Sequence, residues 1–194
     1  MPDIFSVLTQ DHEEVKTMLT TLETGGGSHP QIAAEGHLEQ RGDLVEKLIM
    51  EESRHEAAEE QYFWPTVRDK LANGDQLATT AIEQENEGKK VLDQLRKTSP
   101  DNVEFESLVA TFIQAGREHI AFEEQQVWPV LRSALTPDEA TALGEQFELA
   151  KKLGPTRPHP HTPANATVLK TAGMAAAMVD KAADAITGRG KKNE

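Results

Sequence analysis

His55-Glu56-Ala57-Ala58-Glu59-Glu60-Gln61-Tyr62-Phe63-Trp64-Pro65 recurs farther along the chain as His119-Ile120-Ala121-Phe122-Glu123-Glu124-Gln125-Gln126-Val127-Trp128-Pro129. Both stretches read H-x-x-x-E-E-Q-x-x-W-P. In each, the histidine and the first glutamate are four residues apart, so on a helix they share one face with Cβ atoms roughly 5–6 Å apart. The segments that precede the two copies also align. Asp11-His12-Glu13-Glu14-Val15-Lys16-Thr17-Met18-Leu19-Thr20-Thr21-Leu22 pairs with Gln84-Glu85-Asn86-Glu87-Gly88-Lys89-Lys90-Val91-Leu92-Asp93-Gln94-Leu95. A long helix followed by a repeated one is a helical hairpin. Two hairpins related by a pseudo-two-fold axis make an all-α, up-down four-helix bundle.

The periodicity around the repeat is helical throughout, and no segment alternates as a half-buried strand does. A first helix is expected over 3–23, on the stripe Phe5, Leu8, Val15, Leu19 and Leu22, ending at Gly25-Gly26-Gly27. The second covers about 30–71, with an early break near Gly36 or Gly42, and stops at Asn73-Gly74. The third covers about 76–97. The fourth starts near Pro100, where Asp101 and Glu104 have capping-box spacing, and runs to about 134. Thr136-Pro137-Asp138-Glu139 is a further helix start, and that helix ends at Gly154-Pro155. A proline-rich linker, GPTRPHPHTP from Gly154, leads to an Ala-rich final helix over 164–187. The division expected is a bundle over 1–135, an additional packing helix over 136–154, and linker plus C-terminal helix over 155–194.

Composition narrows the function. With no cysteine among its 194 residues, the chain has no disulfide framework, thiolate metal site or cysteine nucleophile. Its net charge of −13 is uneven. Residues 1–149 hold 12 Lys/Arg against 30 Asp/Glu, and residues 150–194 hold 8 against 3. Such an acidic body disfavours nucleic acid as the main partner. The basic tail is expected to lie on an acidic body, its own or a neighbour's. No apolar run approaches the roughly 20 residues of a bilayer span, and the start of the chain has no signal-peptide pattern. The expectation is a cytoplasmic protein, monomeric or weakly self-associating through its C-terminal helix.

His12 sits in the apolar stripe of the first helix. His55 with Glu59, and His119 with Glu123, point inward from two others. Burying two carboxylates and three imidazoles in one core is costly without compensation. A metal ion turns every one of these groups into a ligand. Imidazole and carboxylate without thiolate suit iron or manganese, and zinc less specifically. Two carboxylates reaching in from facing helices favour a dinuclear site.

On these residues the chain resembles the hemerythrin-like, HHE cation-binding family, whose pattern is one His, then His-x-x-x-Glu, then one His, then His-x-x-x-Glu. The likeness covers about residues 4–135. It implies two iron ions per chain, oxo- or hydroxo-bridged. Glu59 and Glu123 would bridge them, and His12, His55 and His119 would be terminal ligands. One position departs from the pattern, since the repeat places Glu85 where the family has its third-helix histidine. Glu85 replaces that histidine, or Glu87 or Asn86 does so after a register shift, or the position stays open.

Tyr62 lies three residues after Glu59 and is either a core tyrosine or a phenolate ligand and proton or electron donor. Glu52 approaches the same face. Trp64-Pro65 and Trp128-Pro129 are expected to pack and kink their helices. His29, His37, His159 and His161 are expected to be solvated or in linkers, and Asn165-Ala166-Thr167 is a sequon only in a secreted chain. The function expected is decomposition of hydrogen peroxide at the di-iron centre, a catalase-like role in oxidative-stress defence. The alternatives are reversible binding or sensing of oxygen or nitric oxide, and iron storage. The absence of an attached output domain weakens the sensing reading.

Overall fold

The structure, a computed structural model, describes residues 2–25, 35–160 and 174–187. The glycines 26 and 27, the second-helix start at Pro30, His29, His161, the Asn165 sequon and the first half of the Ala-rich helix lie outside the described residues.

Helix α1 (Ile4–Gly25) begins where Asp3 accepts the Ser6 backbone N–H at 2.8 Å. This satisfies one of the free amides of the first turn. Helix α2 (Glu35–Ala58) passes through Gly42 without the expected break. The interruption comes instead at a π-helical turn, Glu59–Phe63, followed by α3 (Trp64–Lys70). Pro65 causes it. Proline has no N–H for the carbonyl four residues back, and its ring crowds that carbonyl. The wide turn accommodates this, and the Trp64 amide reaches back five residues to the Glu59 carbonyl. The second copy of the motif repeats the geometry between α5 (Phe105–Phe122) and α6 (Trp128–Ala134). There the π-turn spans Glu123–Val127, and the Trp128 amide donates to the Glu123 carbonyl. Each π-turn therefore begins at the inward glutamate of its repeat.

Helix α4 (Gly74–Leu95) closes the bundle. A side chain on Gly74 would collide with the Val67 carbonyl, so the turn that leads into α4 requires glycine there. The expected capping box at Asp101 and Glu104 does not form. Asn102 Oδ1 accepts the Glu104 amide at 2.9 Å, which holds residues 99–104 in turns and delays α5 to Phe105. Helix α7 (Pro137–Leu153) does open with a full capping box, between Thr136 and Glu139. Helix α8 (Met174–Thr187) lies nearest the C-terminus.

In the bundle α1 packs on α2 and α5, and α4 packs on α5, α3 and α2. Helix α7 lies across α1 and α2. Two apolar clusters form the interior. One gathers Ile4, Leu8, Phe63, Trp64, Val67, Val127, Leu131 and Phe147. The other gathers Leu19, Leu22, Leu48, Ile49, Leu92, Phe105 and Phe112. A belt of buried polar side chains separates them, because each helix places its polar residue mid-stripe, as His12 stands between Leu8 and Val15. Among the described residues no helix is long and apolar enough to cross a membrane.

Gly144 sets how closely α7 approaches α1. A Cβ there would stand 2.8 Å from the Pro2 carbonyl oxygen and 3.0 Å from backbone atoms of Asp3 and Ile4. Gly→Ala inside a helix ordinarily stabilises by about 1 kcal/mol, but backbone neighbours cannot give way. Gly144→Ala is therefore expected to destabilise the chain by about 1–3 kcal/mol. A lower urea midpoint with an unchanged slope is the expected result, and a higher midpoint would contradict the packing.

Candidate metal centre

The polar belt brings together every residue of the histidine and glutamate set read from the sequence. His12, His55, Glu59 and Glu123 each offer one donor atom, all within 4.8 Å of one another. Glu59, Glu85 and His119 form a second such group. Glu59 belongs to both groups, and both its oxygens and those of Glu123 are sealed from solvent.

The donors approach one another without bonding. His12 Nε2 lies 3.1 Å from Glu123, His55 Nε2 3.2 Å from Glu59 and His119 Nε2 3.5 Å from Glu123. Yet His12 Nε2, His119 Nε2, Glu85 Oε2 and all four oxygens of Glu59 and Glu123 have no hydrogen-bond partner. Buried polar atoms are almost always paired, and such a concentration of orphans is what a cation would satisfy.

The far nitrogen of each ring is held by a residue whose role the sequence reading missed. Asp11 faces His55 Nδ1 at 3.1 Å, Gln84 faces His119 Nδ1 at 3.1 Å, and Glu124 faces His12 Nδ1 at 3.0 Å. Such contacts fix a ring's tautomer and aim its other nitrogen. The signal was present in the repeat, where Asp11 aligns with Gln84. The same correspondence governs the lysines. Lys16 donates to Glu124 at 2.8 Å, and its counterpart Lys89 donates to Glu60, the counterpart of Glu124. It governs the tryptophans too. Trp128 stacks on His12 at 4.8 Å, whereas Trp64 donates its indole N–H to Glu85 Oε1. Trp64 thus orients a residue of the site as well as packing.

Of the three candidates for the departed position, Glu85 faces the belt, at 2% exposure. Glu87 is exposed and pairs with Lys90. Asn86 is half-buried. Glu52 is also buried; burial raises its pKa, against the pull of His55 and His12. Tyr62 is half-buried against the apolar cluster and lines the crevices on the α7 side. Its expected position, one turn beyond Glu59, assumed a continuous α-helix. The π-turn rotates less per residue and carries residue 62 off that face.

Helix α7 contributes more than cover. Phe147 sets its ring edge-on to His55 at 5.5 Å, and Lys151 donates to Asp11 at 2.6 Å. His37, expected in solvent, contacts the Gly25 carbonyl at 3.0 Å. His159 contacts Asp180 of α8 at 3.1 Å rather than lying free in a linker.

The chain matches the Hemerythrin HHE cation binding domain over residues 3–131. It belongs to that family. It is 27% identical over 139 residues to an uncharacterized hemerythrin-like protein of Schizosaccharomyces pombe, across 71% of this chain and 68% of that one. It is 26% identical over 149 residues to a DNA nickase of Nostoc sp., covering 77% of this chain but only 39% of that protein's length. A crystal structure of a hemerythrin HHE domain-containing protein from Mycobacterium kansasii, described as an Rv2633c homolog, superposes with a TM-score of 0.63 at 19% identity. The superposition covers 93% of this chain and 99% of that one, which establishes the shared fold.

The two central carboxylates titrate apart. Burial and then the Glu123 carboxylate push Glu59 up to about 7. In Glu123 burial is outweighed by the His119, His12 and His55 rings, which hold it near 2. Burial works against charging the His55 ring, but Glu59 and Asp11 overcome it and raise its pKa well above the ordinary value. The balance in His12 runs the same way through Glu123. Burial lowers His119.

These directions give a pH dependence for the chain after a chelator has stripped any bound metal. Glu59 ordinarily titrates at 4.5, so between 4.5 and about 7 the folded state holds the extra proton. Its stabilisation is complete below pH 4.5 and is lost as pH rises through about 7. Raised His12 and His55 contribute fully below 6.5 and lose their contribution above it. Glu123 works oppositely, but only below 4.5, and His119 opposes alone among the three rings. The chelated chain should melt at a higher temperature at pH 5.5 than at pH 8.5. A melting temperature that climbs steadily over that interval would contradict the assignment.

Proposed function

We propose that the chain holds two iron ions between α1, α2, α4 and α5, and that this centre decomposes hydrogen peroxide in a catalase-like defence against oxidative stress. The observation that supports the reading is the pair of buried donor groups that share Glu59, all built from imidazole and carboxylate. On this reading His12 and His55 would hold one ion and His119 and Glu85 the other, and the Glu59 and Glu123 carboxylates would serve both. Iron, when bound, supplies the electron exchange with peroxide. Peroxide serves as both oxidant and reductant, ending as oxygen and water, so no further reductant is needed.

The chain's own residues do the rest. Asp11, Gln84 and Glu124 aim the three rings. Trp128 and Phe147 wall two of them from water. Glu85 brings an anion where the family's pattern has a neutral imidazole, which favours the ferric state and disfavours reversible oxygen carriage. Lys89, 3.7 Å from Glu85 Oε2, balances part of that charge.

Protein from iron-replete cells is expected to carry close to two irons per chain and to evolve oxygen from hydrogen peroxide. One zinc per chain, or no metal, would reject the di-iron reading. A reduced form that takes up oxygen and releases it intact on degassing, without peroxide turnover, would replace the enzyme with a carrier.

Three substitutions test individual residues. Glu85→Ala should change the visible spectrum and reduce iron retention, while Glu87→Ala should do neither; the reverse ranking would overturn the assignment of Glu85. Tyr62→Phe keeps the ring's packing, so a changed visible band or reduced turnover would place the phenol in the chemistry. Wild-type spectrum and turnover would make Tyr62 a packing residue.

A further inference from the structure

Helix α7 reaches the metal centre with one face. Gly144, Phe147 and Lys151 follow at spacings of three and four, so they lie on the same side of the helix. Gly144 brings that side against the start of α1. Phe147 sets its ring edge-on to His55 at 5.5 Å. Lys151, one turn on, donates to Asp11 Oδ1 at 2.6 Å and stands 3.5 Å from Glu51. The second oxygen of the same aspartate, Oδ2, meets His55 Nδ1 at 3.1 Å. A carboxylate can only accept, so Nδ1 carries the proton. The opposite nitrogen, Nε2, faces Glu59 at 3.2 Å. Lys151, Asp11, His55 and Glu59 thus form one line from the outer helix to the middle of the belt.

The three rings are not backed alike. His119 has the neutral Gln84 behind it. His12 has Glu124, itself held by Lys16, but those side chains are 29% and 35% exposed and water screens their charges. The side chains of Asp11 and Lys151 are 10% and 19% exposed, where opposite charges act on each other more strongly. His55 is therefore the ring whose electron density depends most on a charge pair outside the belt.

A carboxylate behind an imidazole pulls on the Nδ1 proton and makes Nε2 a stronger donor. That favours the more oxidised state of a metal ion held at Nε2. A cation on the far side of the carboxylate competes for its charge and works the other way. Glu85 already adds an anion to the centre, and Asp11 pushes in the same direction. A centre that decomposes peroxide alternately takes up and gives back electrons, so it needs a counterweight to both.

We propose that Lys151, which lies beyond the family match at 3–131, is a positioning residue for the centre: through Asp11 it tempers the donor strength of His55 and keeps the reduced state of the bound metal accessible. The consequence for iron rests on the di-iron reading; the coupling of Lys151 to the His55 ring does not.

The test removes the charge and little of the bulk, with Lys151→Met. Lys151→Gln, which can still donate to Asp11, takes its place if the methionine impairs folding. In the metal-free full chain the His55 Nδ1 proton, identified in NMR spectra by its loss in His55→Gln, should move downfield in Lys151→Met and return in Lys151→Arg. In the iron-loaded chain the midpoint potential should fall in Lys151→Met and be restored by Lys151→Arg. Lys152→Met removes the same charge from an exposed neighbour and should move neither. If Lys151 only holds Asp11 in place, its loss loosens the contact with His55, the proton moves upfield and the potential rises. That result, an unmoved proton, an unmoved potential, or an equal change in Lys152→Met would each overturn the proposal. A shifted proton in protein that takes up no iron would uphold the coupling while rejecting the di-iron reading, and two irons per chain with an unmoved proton would do the reverse.

Discussion

The structure is organised around two carboxylates, Glu59 and Glu123, that lie in the middle of the bundle with their oxygens sealed from solvent. Two buried anions at close range cannot both ionise without compensation. The chain supplies part of it through three imidazoles, and the two groups titrate near 7 and near 2 as a result. The rest of the belt follows from this constraint. The rings must point at the carboxylates, so each has a polar residue behind it. The motif prolines set the π-turns, and both turns begin at these same glutamates.

The pseudo-two-fold repeat explains most of the centre, and its departures explain the remainder. Where the first hairpin has His12, the second has Glu85. Where the second copy of the motif has Ile120, the first has Glu56. Both changes add a carboxylate to one side of the belt. Lys89 is consequently buried among Glu56, Glu60 and Glu85, whose negative charge overcomes the effect of burial and raises its pKa, while its counterpart Lys16 remains partly exposed. The tryptophans register the same change, since Trp128 stacks on an imidazole and Trp64 hydrogen-bonds a carboxylate. One half of the site is thus rich in histidine and the other rich in carboxylate.

The residues beyond the family match at 3–131 are not ornamental. Helix α7 touches His55 through Phe147 and Asp11 through Lys151. Gly144 permits that approach by leaving room for the backbone of the first residues. The following segment and α8 are tied together by Asp180 and Asp184 and wall a crevice that ends at Lys89. Among the described cations of the basic tail, Lys151 reaches Asp11 and Glu51 of the acidic bundle, while Arg157 is met by Asp180 and Asp184 of α8.

Local pattern was sufficient for most of the helices, for the hairpin duplication and for the inward set His12, His55, Glu59, His119 and Glu123. Side chains four apart on a helix share a face whatever packs against them. The Thr136 capping box was legible for the same reason, because all its partners lie within four residues. Sequence could not rank Glu85 above Glu87 with certainty, place Tyr62, or reveal that Asp11, Gln84 and Glu124 stand behind the rings. Those depend on contacts between helices far apart in sequence, and on π-turns that shift the register after Glu59 and Glu123. The Asp101 cap failed because Asn102 offered its neighbour a nearer oxygen. The sequence by itself therefore determined which residues turn inward. Only the packing of α1, α4 and α7 around them decided which of those residues meet, since distance between helices is written in no single stretch of chain.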